Sequence, residues 1–441
     1  MRSLHGVLIR IGVGLVLVVA AAGCGGGDGS SEAEVAQDGS DDGECGLTAQ
    51  KQWLFDVMTD TYLWYDEVPQ VDLAAFDSLE ALLDALRFEP LDRFSYLTTV
   101  EEYTSLFEEG TYVGYGFNLA TTGPDTLQLG FVFDDAPAGR AGLDRGDRVV
   151  AMNGVAVEQI LAEDRVDEFL GPDEVGVELT MTVQPLMGDE RVVDLVKDVV
   201  VMNTVLHSEV LETNGIKVGY LVLQSFLEPT NAELAAAFES FRDANVSELI
   251  LDLRYNGGGR ISVSRNLGNY SSGAQTGSSD VFARLVYNDK YQGRNSTFAF
   301  NSDFAAALDV ARAVVITMPG TCSASELVIN GLAPFMDVIT IGQTTCGKPV
   351  GQVGTDRCGI RVQPIEFKTV NALDQGDYFD GLQPTCPASD DLSARFGDPA
   401  EQALGTALSY LTGGSCPLGI QSASVSAELP MSGWRREIGA Y

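Results

Sequence analysis

Ser323 and Lys348 are the two residues of this chain whose types and placement best suit covalent catalysis. Ser323 follows a segment that predicts a β-strand and precedes one that predicts an α-helix. N–H groups at a helix start can stabilise an oxyanion. A serine nucleophile needs a base, and the only histidine after residue 23 is His207. A lysine can be that base where burial disfavours its charged form, and Lys348 lies 25 residues beyond Ser323.

Two other interpretations of the Ser323 segment compete with a serine nucleophile. Ser323 and Glu326 form the pattern S-x-x-E, which is typical of a capping box that begins a helix without catalysing anything. The short segment alone favours this cap, and the lysine shifts the balance towards a nucleophile. Cys322 would be the nucleophile of a cysteine protease, but no histidine lies near it in the sequence.

The segment from Ser323 to Gln352 resembles the active-site region of the carboxyl-terminal processing peptidases, the tail-specific proteases of peptidase family S41. The family pattern is S-A-S-E, a helix, a strand that ends in glycine, and then G-K-x-x-x-Q. The spacing agrees, because Gln352 lies four residues beyond Lys348. The resemblance implies that Ser323 is the nucleophile, that Lys348 is the general base and that Gln352 orients the lysine.

A second match to the same family lies upstream, at Leu251–Gly259. It is similar to D-L-R-x-N-P-G-G, with Gly257 in place of the proline. In that family the first glycine of the pair and the residue after the nucleophile donate backbone N–H groups to an oxyanion. The resemblance therefore implies Gly258 and Ala324, although a flexible turn is the simpler interpretation of three glycines. Asp92–Leu97 also resembles a family element, D-x-x-S-x-Y-L.

Residues 110–190 resemble a PDZ domain. An A-P-A-x-x-A-G-L pattern at residues 136–143 is followed by Gly-Asp and then by an Asn-Gly turn at residues 153–154. PDZ domains bind an extended peptide as an added strand at a sheet edge, and often hold its terminal carboxylate in a nest of N–H groups. The resemblance assigns that loop to Gly114, Tyr115, Gly116 and Phe117.

The N-terminus has the features of an export signal. Arg2 and Arg10 precede an apolar run, Ile11–Ala22, which is shorter than the roughly 20 residues that a spanning helix needs. Small residues before Cys24 resemble the lipobox of bacterial lipoproteins, which implies lipidation of Cys24. An ordinary secretory signal is the alternative. We expect an exported lipoprotein that is membrane-anchored and faces the periplasm or the cell exterior.

The alternation of strand and helix patterns after residue 200 predicts an α/β architecture, and the resemblance implies a core of the crotonase/ClpP-like kind. The predicted organisation has six parts: a signal peptide (1–23), a flexible tether (24–47), an N-terminal helical region (48–109), a PDZ domain (110–190), a Ser–Lys protease core (200–415) and a C-terminal tail without a clear pattern (416–441).

Charge and cysteine content restrict the function further. The net charge of −36 excludes nucleic-acid binding by charge, because phosphate contacts need basic patches. An even number of cysteines in an exported chain favours disulfides, whose pairing the sequence leaves open. No C-x-x-C pair is present, so we predict neither a metal nor a cofactor. The cysteines in question are Cys45, Cys322, Cys346, Cys358, Cys386 and Cys416.

These observations together predict a serine endopeptidase that cleaves proteins near their C-termini by acyl transfer. Its expected partners are proteins or peptides with apolar C-terminal tails, which the PDZ domain presents. A non-catalytic PDZ scaffold lipoprotein is the main alternative, and an exported esterase is the third. The physiological substrate, the cleavage-site preference, the oligomeric state and the effect of the PDZ domain on activity stay open.

Overall fold

The computed structural model describes residues 43–301, 304–417 and 427–428. The predicted signal peptide and Cys24 lie outside these residues. Within the described residues, no helix has both the length and the apolar character needed to cross a membrane.

The helices of the described residues are short, and several begin at capping side chains. In one of them the Ser78 hydroxyl accepts the N–H of Ala81, and leucines at helical spacing are buried on one face. The α-helices are α1 (Leu47–Asp60), α2 (Leu79–Leu86), α3 (Val100–Thr104), α4 (Pro137–Arg140), α5 (Val157–Ala162), α6 (Val166–Leu170), α7 (Thr230–Asp243), α8 (Ile261–Ser272), α9 (Ala324–Leu332) and α10 (Gln402–Gly413). Short segments of 3₁₀ or π-helix occur at Tyr65–Glu67, Leu73–Ala75, Ser105–Glu109, Gly273–Gln275 and Asp289–Arg294.

In the part of the chain that the structure describes, the strands form five sheets. They are β1 (Tyr96–Thr99), β2 (Thr111–Gly114), β3 (Phe117–Gly123), β4 (Thr126–Val132), β5 (Arg148–Met152), β6 (Val155–Ala156), β7 (Glu178–Gln184), β8 (Arg191–Val196), β9 (Asp198–Val201), β10 (Val205–Thr213), β11 (Ile216–Leu223), β12 (Glu248–Asp252), β13 (Val281–Tyr287), β14 (Ser296–Ala299), β15 (Arg312–Thr317), β16 (Asp337–Gly342), β17 (Val350–Gln352), β18 (Thr355–Arg357), β19 (Ile360–Gln363), β20 (Ile365–Val370), β21 (Cys386–Pro387) and β22 (Ala427–Glu428).

The central sheet has the strand order β10-β11-β12-β15-β16-β21, and all neighbours are parallel except β10 and β11. Parallel strands are buried on both faces, so their sequences are nearly continuous apolar runs. Leu249 and Val315 face a core formed with α7, α8 and α9, whereas Ile250 and Val314 face a second core formed with α10. The predicted α/β class is confirmed.

The carboxyl ends of three central strands lead into loops at one edge of this sheet. Residues 253–259 follow β12, residues 318–323 follow β15 and residues 343–348 follow β16. In parallel sheets this edge is where ligand and catalytic sites are built. The N-terminal region reaches the same edge, because β1 pairs with β19 and Leu54, Tyr62 and Cys322 share one apolar cluster.

Residues 111–201, here called the antiparallel module, have a core of their own. Their larger sheet has the order β22-β3-β4-β5-β7-β8, with β6 beside β5, and β2 pairs with β9. Phe117, Leu129 and Met181 are fully or almost fully buried in its core, which α5 and α6 cover. The strand β22 comes from the C-terminal segment in which the sequence showed no clear pattern, and two residues are too few to produce one.

A buried ionic cluster joins the antiparallel module to the central sheet. The Arg145 guanidinium donates to Asp390 at 2.6 Å and to the Tyr255 hydroxyl at 2.7 Å. Arg254 pairs with Asp390 at 2.7 Å, and it also pairs with Asp252 and Glu401. Because Tyr255 and Arg254 lie in the loop after β12, the cluster fixes that loop against the module.

Candidate active site

Ser323 occupies a strained position between β15 and α9. Its φ is +53° and its ψ is −111°, whereas a residue that only caps a helix normally has extended backbone angles. Such strain persists only where the surroundings enforce it, and it is concentrated at functional sites. The turn is tied to the loop after β12, because Ser325 Oγ donates to the Asn256 carbonyl at 2.9 Å. This conformation favours the nucleophile over the simple cap.

Lys348 is held in a buried position by Gln352. Its side chain is only 4% exposed, and Nζ donates to Gln352 Oε1 at 2.9 Å. Gln352 Nε2 donates in turn to the carbonyls of Phe94 and Gln363, at 2.8 and 3.0 Å. These two carbonyls accept only, so they determine which end of the amide faces the lysine. The sequence element at 92–97 thus supplies one anchor of Gln352.

One cleft brings Ser323, Lys348 and Gln352 together. Apart from these residues its surface is mostly aromatic and aliphatic, and Arg260 is its other basic residue. None of the described residues that line it carries a carboxylate, although the chain as a whole is strongly acidic. The remaining lining residues are Tyr96, Tyr103, Phe107, Gly259, Ile261, Ser262, Phe298, Ala324, Leu327, Val350, Gly351, Gln363, Phe367 and Thr369.

Gly258 and Ala324 lie beside Ser323, as the sequence match implied. A side chain at Gly258 would come within 2.9 Å of Ser323 Cβ and 3.3 Å of the Ala324 nitrogen, and φ there is +125°. Glycine is therefore required. The Gly258 N–H, however, donates to Asn256 Oδ1 at 3.0 Å. This N–H must leave Asn256 before it can bind an oxyanion, whereas Ala324 is the first helical residue and its N–H has no acceptor within the helix.

Glu326 is a connecting residue that the sequence interpretation treated only as part of a helix cap. Its side chain is fully buried and accepts the backbone N–H groups of Ser323, Gly347 and Lys348 at 2.8–2.9 Å. It also accepts the Thr345 hydroxyl. Burial raises the pKa of Glu326, and these donors offset part of that rise. One carboxylate thus joins the serine turn to the lysine loop, and the S-x-x-E pattern was the available signal.

A disulfide between Cys322 and Cys346 joins the same two loops. It removes Cys322 as a nucleophile in this state. Together with Glu326, the two sulfurs form a cluster whose ligand atoms lie within 4.8 Å of one another. Sulfurs joined in a disulfide are not thiolates, so this cluster is not a metal site while the bond is present. The other two disulfides are Cys45–Cys358 and Cys386–Cys416.

The predicted peptide-binding loop lies between β2 and β3, and none of its residues lines the cleft. Gly116 has φ +86°, and a side chain there would overlap that of Ala136, so glycine is required. Tyr115 and Phe117 are fully buried, with their rings stacked at 5.7 Å. Because both side chains belong to the core, only backbone groups of this loop are available to a ligand. His207, in β10, hydrogen-bonds Glu209 and does not line the cleft.

Comparison with known proteins identifies the same regions. The family model described as "Peptidase family S41" matches residues 217–363, and the model "Peptidase S41 N-terminal domain" matches residues 49–96. A carboxyl-terminal-processing protease of Picosynechococcus sp. is 26% identical over 301 residues, which are 67% of this chain and 68% of that protein. The corresponding protease of Synechocystis sp. is 26% identical over 348 residues, with 77% of each chain covered.

A solved structure agrees with these matches. The crystal structure of a Bacteroides fragilis protein assigned to the S41 proteases has a TM-score of 0.68 and 26% sequence identity, and covers 82% of this chain and 97% of that one. The first family match contains Ser323, Lys348 and Gln352, together with the loop after β12. The chain is therefore a serine protease whose residues 217–363 match peptidase family S41 and which is similar to the carboxyl-terminal-processing proteases.

Proposed function

We propose that this protein is an endopeptidase that cleaves proteins near their C-termini with Ser323 as nucleophile and Lys348 as general base. One observation carries the proposal: the buried Lys348 is oriented by Gln352 in the same cleft as the strained Ser323. Gln352 accepts from the lysine without neutralising a charge, which leaves the amine able to exchange a proton.

The reaction follows from the chemistry of these groups. Unprotonated Lys348 accepts the proton of the Ser323 hydroxyl while the oxygen attacks a peptide carbonyl. The Ala324 N–H stabilises the oxyanion, joined by Gly258 once its bond to Asn256 opens. Lys348 then gives its proton to the leaving amine, and the peptide C–N bond breaks. Water then attacks the acyl-enzyme while Lys348 takes one of its protons. Lys348 returns this proton to Ser323 Oγ as the ester C–O bond breaks, and the acyl part leaves as a new carboxyl terminus.

The substrate side of the proposal rests on the cleft and on the antiparallel module. A cleft lined by aromatic and aliphatic side chains without a carboxylate suits apolar residues near the scissile bond. We propose that the antiparallel module acts as a PDZ domain and presents the substrate tail through the edge of β3. Three disulfides fit an oxidising compartment, which supports export and the lipid anchor proposed at Cys24.

Cleavage of an unfolded protein with an apolar C-terminus tests the catalytic assignment. We expect Ser323→Ala and Lys348→Ala to lose at least a thousandfold in kcat while remaining folded by circular dichroism, because each removes an obligatory reactant. Lys368→Ala, at an exposed lysine of β20, is the matched control and should keep full activity. Activity should also rise towards alkaline pH, since the base must start deprotonated.

The alternatives make different predictions in the same assay. A folded parent chain that cleaves nothing over a range of tails and pH values would support the non-catalytic scaffold. An esterase would hydrolyse a short ester faster than a protein tail. Unchanged activity in Lys348→Ala would contradict the Ser–Lys pair itself.

A further inference from the structure

Arg260 brings a positive charge into the cleft beside Ser323. It follows Gly258 by two residues, and a side chain at Gly258 would come within 2.9 Å of Ser323 Cβ. Lys348 is the other basic residue among the described residues that line the cleft, but it is buried and bound to Gln352. The side chain of Arg260 is 37% exposed. It is therefore the basic group of the cleft that a ligand can reach.

The backbone of Arg260 is fixed to the same neighbour as Gly258. The Arg260 N–H donates to the Phe226 carbonyl at 2.7 Å, and the Phe226 N–H donates to the Gly258 carbonyl at 2.9 Å. Two residues of chain span at most about 7 Å, so Arg260 begins close to the glycine beside Ser323. A group bound by its side chain therefore lies within a few residues of a peptide bond held at Ser323.

The acidic partner of Arg260 holds it only weakly. Nε of Arg260 lies 3.6 Å from a carboxylate oxygen of Glu228, which is longer than a hydrogen bond, and the Glu228 side chain is 58% exposed. Exposed ion pairs of this kind contribute little to stability. The described residues that line the cleft include no Asp or Glu, so Glu228 competes from outside the lining. A carboxylate brought by a ligand can therefore replace it.

We propose that Arg260 is a specificity-determining residue that binds a carboxylate of the substrate within a few residues of the scissile bond. This inference rests on the proposed function in taking the cleft as the place where the peptide lies. The recognised group is a peptide carboxylate, supplied either by the C-terminus or by an acidic side chain. A guanidinium presents its N–H donors as a planar fork, which both oxygens of a carboxylate can accept.

The charge of the whole chain makes this recognition depend on position. A net charge of −36 repels acidic peptides in general. One carboxylate placed at Arg260 gains a charge-assisted contact, whereas carboxylates at other positions gain none and are repelled. The preferred segment is therefore apolar, to match the aromatic and aliphatic lining, with a single carboxylate in register with Arg260.

Peptide binding to inactive protein tests this inference separately from catalysis. The protein is the full chain carrying Ser323→Ala, and the probe is a short, fluorescently labelled peptide of alanine and leucine, followed by anisotropy. The peptide is made with a free C-terminal carboxylate and with a C-terminal amide. The amidated form is also made with one aspartate at successive positions, each matched by asparagine. A carboxylate in register with Arg260 should bind about tenfold more tightly than its neutral counterpart. The two series distinguish a terminal carboxylate from a side chain.

Substitutions of Arg260 should change this preference and leave the neutral peptides unaffected. In Arg260→Met the carboxylate and neutral forms should bind equally, because the charge is lost and the apolar stem is kept. Arg260→Lys should retain part of the preference, since it keeps the charge without the fork. Arg242→Met, which breaks an exposed pair outside the cleft lining, is the matched control and should keep the full preference.

Glu228→Gln should have the opposite effect. It removes the carboxylate that competes for Arg260, so binding of the carboxylate peptide should tighten roughly threefold while the neutral form is unchanged. A gain of this kind cannot arise from damage to the fold. With active protein, Arg260→Met should raise KM for the carboxylate peptide and leave kcat unchanged, because the contact is the same in the ground state and the transition state.

The results separate this inference from the proposed function. Equal binding of the carboxylate and neutral peptides by the Ser323→Ala chain, or binding of neither, would overturn the role of Arg260. A preference that persists in Arg260→Met would overturn it as well. Absence of proteolysis by the parent protein would contradict the proposed function, whereas a carboxylate preference that disappears in Arg260→Met would still support the binding site.

Discussion

Two buried carboxylates near the loop after β12, those of Asp390 and Glu326, are stabilised by different kinds of partner. Asp390 contacts two guanidinium groups, those of Arg145 and Arg254, at 2.6 and 2.7 Å. Glu326, beside Ser323, is bound only by N–H and O–H donors, and among the described residues no cation pairs with it. Burial raises the pKa of Asp390, but the guanidiniums outweigh burial and lower it to about 2. Burial dominates for Glu326, whose pKa is raised.

The difference follows from what each site must do. At the junction of the antiparallel module and the central sheet, ion pairs between fully charged side chains give a strong and rigid contact. This contact does not have to rearrange during a reaction. If Lys348 is the general base that we propose, an additional cation near Ser323 would oppose its protonation during the reaction. Backbone N–H groups stabilise the Glu326 carboxylate with dipoles alone, so the loops are fixed without adding a positive charge beside Lys348.

Substitution of Arg254 should give the largest loss of unfolding free energy. Arg254→Met leaves Asp252, Asp390 and Glu401 buried with their main counter-charge removed. Breaking a buried pair in this way costs about 3–5 kcal/mol, and urea unfolding would measure it. Arg242→Met, which breaks an exposed pair with Asp243, should cost less than about 1 kcal/mol. A loss below about 1 kcal/mol for Arg254→Met would show that the cluster does not stabilise the junction.

Ionisation of Asp390 and ionisation of Glu326 should change the unfolding free energy in opposite directions as pH rises. The pKa of Asp390 is lower in the folded chain, so its contribution is present above pH 3.8 and is lost as pH falls towards 2. That contribution is about 2 kcal/mol, from about 1.4 kcal/mol per pKa unit. The contribution of Glu326 has the reverse sign and decreases as pH rises through its raised pKa.

Unfolding free energies measured between pH 5 and pH 2 test the Asp390 slope. Between pH 5 and pH 2 the unfolding free energy of Asp390→Asn should fall by about 2 kcal/mol less than that of the parent, although the variant is less stable at pH 5. The slope, and not the absolute stability, is the diagnostic quantity. An unchanged slope would mean that Asp390 is not the group held ionised by Arg145 and Arg254.

Glu326→Gln should affect catalysis more than folding. The amide retains one acceptor but turns an NH₂ group towards backbone N–H donors, so at least one of the three loop contacts is lost. We expect kcat to fall at least tenfold with little change in KM, because the positions of Ser323 and Lys348 change and the apolar lining does not. Glu366→Gln, at another buried carboxylate with a raised pKa, is the matched control and should keep kcat.

The sequence indicated the proposed reacting residues more readily than the residues that hold them. Ser323, Lys348 and Gln352 lie within one stretch of sequence, so resemblance to a single family motif could single them out. The anchors of Gln352, the carbonyls of Phe94 and Gln363, come from distant parts of the chain, and any residue type supplies a carbonyl. The bond between Gly258 and Asn256 depends on loop conformation, which no residue pattern encodes.

Tertiary contacts could not be predicted from local sequence patterns either. Glu326 matched a capping pattern and does accept the Ser323 N–H, but its contacts with residues 345–348 are tertiary. The pairing of β22 with β3 involves two residues per strand, which is too short for any periodicity. The disulfide partners remained open because cysteine pairing is decided by three-dimensional proximity.

The Cys322–Cys346 disulfide should give the smallest effect on catalysis, if Glu326 is what fixes the two loops. The bond joins the residue before Ser323 to the lysine loop, but Glu326 contacts the same two segments through hydrogen bonds that survive its removal. Cys322→Ala combined with Cys346→Ala should therefore reduce kcat by less than tenfold, while lowering the unfolding free energy by roughly 2–4 kcal/mol. Cys45→Ala with Cys358→Ala, which removes a disulfide outside the cleft lining, controls for stability alone. A loss of kcat as large as that of Glu326→Gln would mean that the covalent bond, and not the dipole-bound carboxylate, positions the serine against the lysine.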